Sequence, residues 1–486
     1  MFEDVLLKIV ETGILTHLPW ISHLFIATGA SINILLHKRD PKAATGWLGV
    51  VWLSPYLGAF FYWILGINRI KRKGALIHKS LLASNPDYHS YLQKYVSKTP
   101  DFHPELSECV ARITQSPLLY ASNIELFAGG DCAYESMLSD IERAERSIYL
   151  QTYIFDRGRV ADRLIDALYR AMQRGVNVRV IVDAIGSRYS FPTVLSRLKR
   201  LGIPCRKFLP NTLPWHISFL NLRNHRKILL IDNELAYTGG MNIRDSHSRK
   251  FAKHGHYADD LHFKFTGPIV SQLFDVFSID WTFASRQGLP VDPSSFVVPD
   301  TPGVRVPCRV ISDGPDFDFE KIRWAMLAAI HSARRRIAIC TPYFLPDFGV
   351  ISALSVSAMQ GVQVDILVPE KGNISLINWA MMPQFRHLIQ SGCQIYLSSP
   401  PFDHSKSMVI DDCWSLIGSA NWDPRSLRLN FEVNVEVYDR RFANRLLAVF
   451  DEKTQAAHLL TAEELQRRPM WVNLRDNAAR LLGPYL

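Results

Sequence analysis

Two sets of three residues in this 486-residue chain share one spacing and carry side chains suited to phosphate chemistry. Each set reads His, one residue, Lys, four residues, Asp, and the two sets are His225, Lys227, Asp232 and His404, Lys406, Asp411. An imidazole can attack phosphorus or carry a proton, a lysine supplies positive charge to phosphate oxygens, and an aspartate can orient a ring nitrogen. Neither set contains a plausible metal cage. The repetition therefore predicts metal-free chemistry on a phosphate ester.

The surroundings of the two sets match as well. Aliphatic residues separate Lys from Asp in each, a glycine follows (Gly239, Gly418), and an asparagine lies 17 residues after each His (Asn242, Asn421). A short run of this kind predicts a strand, whose period of two places His and Lys on the same face. Each Asp follows that buried strand, so a structural role is the alternative to a chemical one.

Longer repeats carry these motifs and predict how they are positioned. Residues 148–154 resemble 337–344, and residues 174–182 resemble 360–368. Long helical patterns alternating with apolar strands predict an α/β fold with crossover connections and parallel strands. We expect two such halves, related by a pseudo-twofold axis, with His225 and His404 facing each other across their interface.

The paired His-Lys-Asp motif resembles the signature of the phospholipase D superfamily. Within it the chain is most similar to bacterial cardiolipin synthases with two motifs and an N-terminal two-helix hairpin. The segments that carry this likeness are 42–47, 224–228, 237–242, 418–426 and the tail 483–486. The resemblance implies a pair of phospholipase D-like α/β/α halves behind a transmembrane helical hairpin.

The same resemblance implies transfer of a phosphatidyl group from one phosphatidylglycerol to another, through a phosphohistidine and without a cofactor. His225 would attack phosphorus while His404 moves protons, although the two roles can be exchanged. Lys227, Lys406, Asn242 and Asn421 would hold the phosphate oxygens. Asp260 and Glu432 would orient the imidazoles, with Asp259 as the alternative to Asp260.

Two other functions stay open at this level. Water in place of the second lipid would make the protein a phospholipase D-type hydrolase, and a basic protein with this motif can also be a nuclease. The charge of +9 suits anionic lipids and nucleic acid alike. The N-terminal apolar segments favour a lipid enzyme, so phosphatidylglycerol and cardiolipin are the expected partners and nucleic acid is not. The second lipid, phosphatidylglycerol or phosphatidylethanolamine, and the oligomeric state are not decided.

The first 74 residues predict membrane attachment. Residues 18–36 and 43–67 are apolar stretches long enough to span a bilayer, and residues 69–73 are mostly basic. A basic connection also lies between the stretches, so the hairpin either spans the membrane or dips into one leaflet, with Pro55 and Gly58 bending the second helix. We expect a multi-pass protein of the bacterial inner membrane with a cytoplasmic catalytic body.

Proline-rich stretches predict the domain boundaries. The expected order is a membrane hairpin (1–74), a linker with short helices (75–120), the first half (121–290), a linker (291–307) and the second half with the tail (308–486). The seven cysteines are scattered and odd in number, which favours reduced thiols over a disulfide framework.

Overall fold

The computed structural model describes residues 2–38, 41–54, 56–66, 90, 92–209, 222–253, 256–289, 296, 305–316 and 318–483. These residues form two compact units, an N-terminal unit within residues 2–66 and a larger unit from residue 90 onward. Most of the predicted linker 291–307, the end of the tail and part of the segment 75–120 lie outside the described residues.

The N-terminal unit is a helical hairpin. Its helices are α1 (Phe2–His37), α2 (Pro41–Leu53) and α3 (Leu57–Phe61), followed by a π-helical turn over Tyr62–Gly66. Within α1, His17–His37 is long and apolar enough to cross a membrane. Trp52 Nε1 donates to Ser31 Oγ (3.0 Å) and the Tyr62 hydroxyl donates to Asn33 Oδ1 (2.8 Å), which fixes the return of the chain against α1.

The second predicted helix, residues 43–67, differs from the structure because it is interrupted. Helix α2 ends at Leu53, two residues before Pro55, which lacks a backbone N–H and itself lies outside the described residues. Beyond the break, a Cβ on Gly58 would lie 2.1 Å from the carbonyl oxygen of Val50. Only glycine permits this approach, so the second apolar stretch is a bent series of short helices.

The segment 104–285 of the larger unit, which contains the first half and the elements just before it, alternates helices and strands. Its helices are α4 (Pro104–Thr114), α5 (Gly130–Arg143), α6 (Arg159–Gln173), α7 (Val194–Arg200) and α8 (Ile269–Ser285). Its strands are β1 (Leu119–Ala121), β2 (Asn123–Ala128), β3 (Ser147–Thr152), β4 (Asn177–Asp183), β5 (Cys205–Phe208), β6 (Ile228–Ile231), β7 (Leu235–Gly239), β8 (Ala258–Asp259) and β9 (Leu261–Thr266).

The second half repeats this alternation. Its strands are β10 (Val306–Asp313), β11 (Arg336–Cys340), β12 (Gln363–Pro369), β13 (Gln394–Ser398), β14 (Phe402–Asp403), β15 (Ser407–Ile410), β16 (Trp414–Gly418), β17 (Glu432–Tyr438) and β18 (His458–Leu459). Its helices are α9 (Lys321–Ser332), α10 (Phe348–Met359), α11 (Ser375–Gln390), α12 (Pro424–Arg428), α13 (Arg440–Gln455), α14 (Ala462–Gln466) and α15 (Met470–Leu481).

Two large sheets carry the pseudo-twofold relation. The first runs β2-β9-β7-β6-β3-β4-β5, and the second runs β1-β10-β17-β16-β15-β11-β12-β13-β18. Without the outer strands β1 and β18, the second order repeats the first strand for strand. The predicted pair of α/β halves is therefore confirmed.

The expectation of parallel strands holds on only one side of each sheet. Strands β3, β4 and β5 run parallel, as do β11, β12 and β13. The motif strands β6 and β15 are antiparallel to both of their neighbours. The pairing of β6 with β7 has a local cause: Asp232 and Asn233 adopt positive φ angles of 54° and 56°, which suit a tight hairpin turn rather than a helical crossover.

Candidate active site

Each motif histidine lies just before its strand, where the two halves meet. The backbone N–H of His225 donates to the Phe431 carbonyl (2.9 Å), and the N–H of His404 donates to the Asp259 carbonyl (2.7 Å). Strands β8 and β14 pair in parallel across the same boundary. Backbone hydrogen bonds therefore tie each motif to the opposite half and bring residues 225 and 404 into one site.

The carboxylate that orients each imidazole comes from the opposite half. Nδ1 of His225 lies 3.0 Å from Oε2 of Glu432, and Nδ1 of His404 lies 2.8 Å from Oδ2 of Asp260. Both carboxylates are fully buried. A proton on Nδ1 shared with the carboxylate leaves Nε2 with the lone pair, which is the tautomer a nucleophile or base needs.

The carboxylate of Asp259, the alternative to Asp260, has partners other than His404. Its carboxylate accepts from the Tyr257 hydroxyl (3.1 Å) and lies 3.6 Å from Nζ of Lys453. Asp260 is thus the residue of this pair that contacts the His404 ring.

The two motif lysines are buried beside the histidines. Nζ of Lys227 donates to the carbonyl of His225, and Nζ of Lys406 donates to that of His404. Burial and the charge of Lys406, against the opposing effect of Glu432, lower the pKa of Lys227 to about 7. Burial also lowers the pKa of Lys406. Two ammonium groups in one dry site form a strong attraction for a phosphate anion.

The same burial and charges act on the imidazoles. Burial lowers the pKa of His225, against the opposing effect of Glu432. Burial, Lys406 and Lys227 together hold the pKa of His404 well below its usual value. Both rings are therefore neutral near neutral pH in the absence of an anion, and either can act as a nucleophile.

The asparagines after the motifs occupy corresponding positions. Oδ1 of Asn242 accepts from the backbone N–H of Ile154 (3.1 Å), which leaves its amide N–H groups for other partners. Asn421 is buried. Burial raises the pKa of Asp423 to about 6, and a hydrogen bond with the Asn421 side chain acts in the opposite direction by lowering that pKa.

The motif aspartates bind backbone at the start of a neighbouring strand. Asp232 accepts from the N–H groups of residues 145, 146 and 147 at 2.7–2.9 Å, and Asp411 accepts from those of 334, 335 and 336 at 2.7–2.9 Å. These carboxylates thus join each motif hairpin to the beginning of β3 or β11. The structural alternative raised for them agrees with this geometry.

A third histidine at the site was not anticipated from the sequence. His247 is buried, its ring centroid lies 5.9 Å from that of His404, and burial lowers its pKa to about 3. Its counterpart five residues after Asn421 is Ser426, so the repeat gave no signal for it. Tyr153, whose ring centroid lies 5.1 Å from that of His225, was missed for the same reason.

His247, Asp260 and His404 form a group whose donor atoms could hold a metal ion. One donor atom from each lies within 4.8 Å of the others. However, the Asp260 carboxylate already accepts from His404, and the charges of Arg244 and Lys406 act on His247. The electrostatics of the cluster favour an anion over a metal cation.

Comparison with known proteins shows the family to which the chain belongs. Residues 137–253 and 326–454, which contain both motifs, match the model described as "Cardiolipin synthase, PLD-like domain". The major cardiolipin synthase ClsA of Bacillus subtilis (strain 168) is 31% identical over 483 residues, covering 96% of this chain and 100% of the relative. The chain belongs to the cardiolipin synthase family.

Family membership extends over nearly the whole chain. The cardiolipin synthase of Oceanobacillus iheyensis is 31% identical over 471 residues, covering 95% of this chain and 97% of that protein. Residues 25–66 match the model "Phospholipase D-nuclease N-terminal". The predicted family and its class of enzyme, a phosphatidyltransferase of the phospholipase D superfamily, are confirmed. With the apolar helix α1, family membership also indicates membrane association.

A solved structure supports the fold of this cardiolipin synthase family member. The phosphatidylserine synthase of Haemophilus influenzae Rd KW20 superposes with a TM-score of 0.60, covering 79% of this chain and 100% of that one. The sequence identity is 16%, so the likeness concerns the fold alone.

Proposed function

We propose that this protein is a cardiolipin synthase that joins two phosphatidylglycerol molecules into cardiolipin and releases glycerol. The observation that carries the proposal is the pair of neutral imidazoles, each bound to a buried carboxylate of the opposite half, around two buried lysines. One phosphodiester replaces another in this reaction, so it requires no nucleotide energy.

In the first step, Nε2 of His225 attacks phosphorus and the bond to the glycerol oxygen breaks. His225 is assigned this role because Glu432 is held ionised beside it: although burial raises the pKa of Glu432, His225 and Lys227 lower it below its usual value. An ionised carboxylate stabilises the positive charge that grows on the ring as the N–P bond forms. His404 donates a proton to the departing glycerol.

His404 becomes protonated, as that proton transfer requires, when the substrate binds. The charges of Lys406 and Lys227 are among the causes that depress the pKa of His404. A phosphodiester between the lysines offsets their charge and so favours the protonated form of His404. In the second step, His404 removes the proton from the acceptor hydroxyl, the acceptor oxygen bonds to phosphorus, and the bond to His225 breaks.

The lysines and asparagines stabilise the transferred phosphate. Lys227 and Lys406 supply positive charge to the phosphate, and the amide N–H groups of Asn242 and Asn421 serve as neutral donors to the nonbridging oxygens. Asp260 and Glu432 act as positioning residues through the imidazoles. Asp232 and Asp411 stabilise the strands that carry the motifs.

The membrane unit is proposed to span the bilayer as a hairpin, with the catalytic body in the cytoplasm. Support comes from the length of the apolar part of α1 and from the basic residues that follow the hairpin in the sequence. Both lipid substrates then reach the site from the inner leaflet.

The test is a product analysis in mixed micelles with phosphatidylglycerol labelled in its headgroup. Wild-type protein should form cardiolipin and release labelled glycerol, whereas His225→Ala and His404→Ala should form neither. His331→Ala, on the exposed surface of α9, is the matched control and should retain activity. Phosphatidic acid as the sole lipid product would identify a hydrolase. Cardiolipin formed only when phosphatidylethanolamine is added would identify phosphatidylethanolamine as the second substrate.

A further inference from the structure

The two sides of the site differ at two positions that carry arginine on one side only, although their motifs repeat. Two residues before His225 the chain has Arg223, and two residues before His404 it has Phe402. Four residues after Asn421 it has Arg425, where the position after Asn242 holds Ser246. Both arginines replace uncharged residues of the other repeat, so the pseudo-twofold symmetry is broken at these two positions.

The backbone brings these two arginines together beside His225. The carbonyl of Arg223 accepts from the N–H of Phe431 (2.8 Å), and the carbonyl of Arg425 accepts from the N–H of Asn430 (2.8 Å). Asn430 and Phe431 directly precede Glu432, the carboxylate bound to His225. Adjacent residues of one segment thus anchor both arginines next to the proposed nucleophile.

The side chains of the pair are close enough to affect each other. Burial and then the charge of Arg223 lower the pKa of Arg425, while Asp423 and the Tyr153 hydroxyl raise it. Both arginines are half-buried. The two guanidinium charges oppose each other, and an anion that contacts both groups would relieve that repulsion.

The proposed reaction requires such an anion site, and the inference rests on that function. Cardiolipin contains two phosphodiesters, of which only the transferred one reacts between Lys227 and Lys406. The phosphate of the acceptor lipid does not react, yet it has to be held so that the acceptor hydroxyl reaches the phosphohistidine. We propose that Arg223 and Arg425 bind the nonreacting phosphate of the acceptor phosphatidylglycerol.

Two reactions of the full-length protein separate this role from the donor chemistry. Exchange of labelled free glycerol into phosphatidylglycerol uses the donor site and an uncharged acceptor. Cardiolipin formation uses the same donor and a phosphate-bearing acceptor. The ratio of the two rates therefore measures recognition of the acceptor phosphate.

Arg223→Gln and Arg425→Gln should each lower cardiolipin formation about 10-fold or more at subsaturating phosphatidylglycerol, because each removes a charge-assisted contact. Glycerol exchange should stay within about 2-fold of wild type. Arg428→Gln is the matched control, since Arg428 lies on the same helix α12 and its guanidinium donates to Glu320 at 2.8 Å. It should change neither rate.

Equal losses of both reactions in a folded variant, or no loss of either, would overturn the proposal. If a Gln variant does not fold, Arg223→Lys and Arg425→Lys decide by the same ratio, because lysine keeps the charge but not the two-pronged contact. Wild-type protein that exchanges glycerol but forms no cardiolipin would refute the proposed function itself, which is a different outcome from a selective loss in the variants.

Discussion

Lys227 makes the charge of the site depend on pH near neutrality. Its side chain is buried with Lys406 in the same site, and its pKa falls to about 7 through burial and the second ammonium group, against the effect of Glu432. Below that pH the free enzyme carries the positive charge that a phosphodiester needs, and above it the charge is progressively lost.

We therefore expect kcat/KM for phosphatidylglycerol to fall as the pH rises through about 7, because this ratio reports the ionisation of the free enzyme. Arginine keeps its charge over that range, so the residual activity of Lys227→Arg should show no such decline. The measurement is initial rate against pH at low lipid concentration. Lys264→Arg, where the native lysine pairs with Asp140 at 2.8 Å, is the control and should keep the wild-type profile. An unchanged decline in Lys227→Arg would assign the ionisation to another group.

At this scale the sequence predicted the residues that occur in both repeats and missed those that occur in one. His247 and Tyr153 contact the motif histidines but have no counterpart in the other half. Asp260 and Glu432 were predicted as the residues that orient the imidazoles, but which histidine each of them contacts was not predicted. His225 and Glu432 lie 207 residues apart, and no local pattern records which half supplies the carboxylate.

At the level of secondary-structure elements, Asp411 stabilises the hairpin formed by β15 and β16. Its carboxylate accepts three backbone N–H groups at the start of β11 and lies 3.3 Å from Nε2 of His103. Although burial raises its pKa, the hydrogen bonds of His103 and of these backbone groups lower it to about 2. A carboxyl whose folded pKa is depressed stabilises the fold above its unfolded pKa and loses that contribution as the pH falls from about 4 to about 2.

Asp411→Asn should therefore cost about 2 kcal/mol of stability at neutral pH while leaving kcat of the folded fraction within a few-fold of wild type. The checks are the thermal midpoint of the detergent-solubilised protein and kcat below that midpoint. The midpoint difference from wild type should shrink at acidic pH, where wild type also loses the charge. A normal midpoint with abolished turnover would instead give Asp411 a direct part in the chemistry.

The same hairpins explain why strand direction was predicted wrongly. Helical crossovers in the repeats predicted parallel strands, and β3 to β5 follow that rule. The motif strands turn back through Asp232-Asn233 and Asp411-Asp412, pairs with positive φ that are visible in the sequence as turn residues. The signal was present, but the longer α/β pattern outweighed it.

For the whole molecule, the repeat was sufficient to predict two α/β halves and a shared site, because each motif brought a similar set of flanking elements. Composition predicted the first apolar helix of the N-terminal unit equally well. For the second, Pro55 and Gly58 indicated a bend in the single-leaflet alternative, although an average hydropathy over residues 43–67 does not register the stop at Leu53. The bent second arm leaves two arrangements to distinguish, a hairpin that spans the bilayer and one that enters a single leaflet.

The cysteines of the chain provide the test of orientation. All seven are free, and only Cys109 and Cys132, both on the catalytic body, are exposed. With the body in the cytoplasm, a membrane-impermeant maleimide should label the protein only after the cells are permeabilised. Cys109→Ser combined with Cys132→Ser should abolish this labelling. Labelling of the unmodified protein in intact cells would place the body outside.

In that serine background, Lys38→Cys introduces one partly exposed thiol just after α1. A spanning hairpin places this position on the far side of the membrane from the body, so the thiol should react in intact cells. Reaction only after permeabilisation would mean that both arms return to the cytoplasmic face. The hairpin would then be an anchor in the leaflet that supplies the substrates, and the basic residues on both sides of it would share one membrane surface.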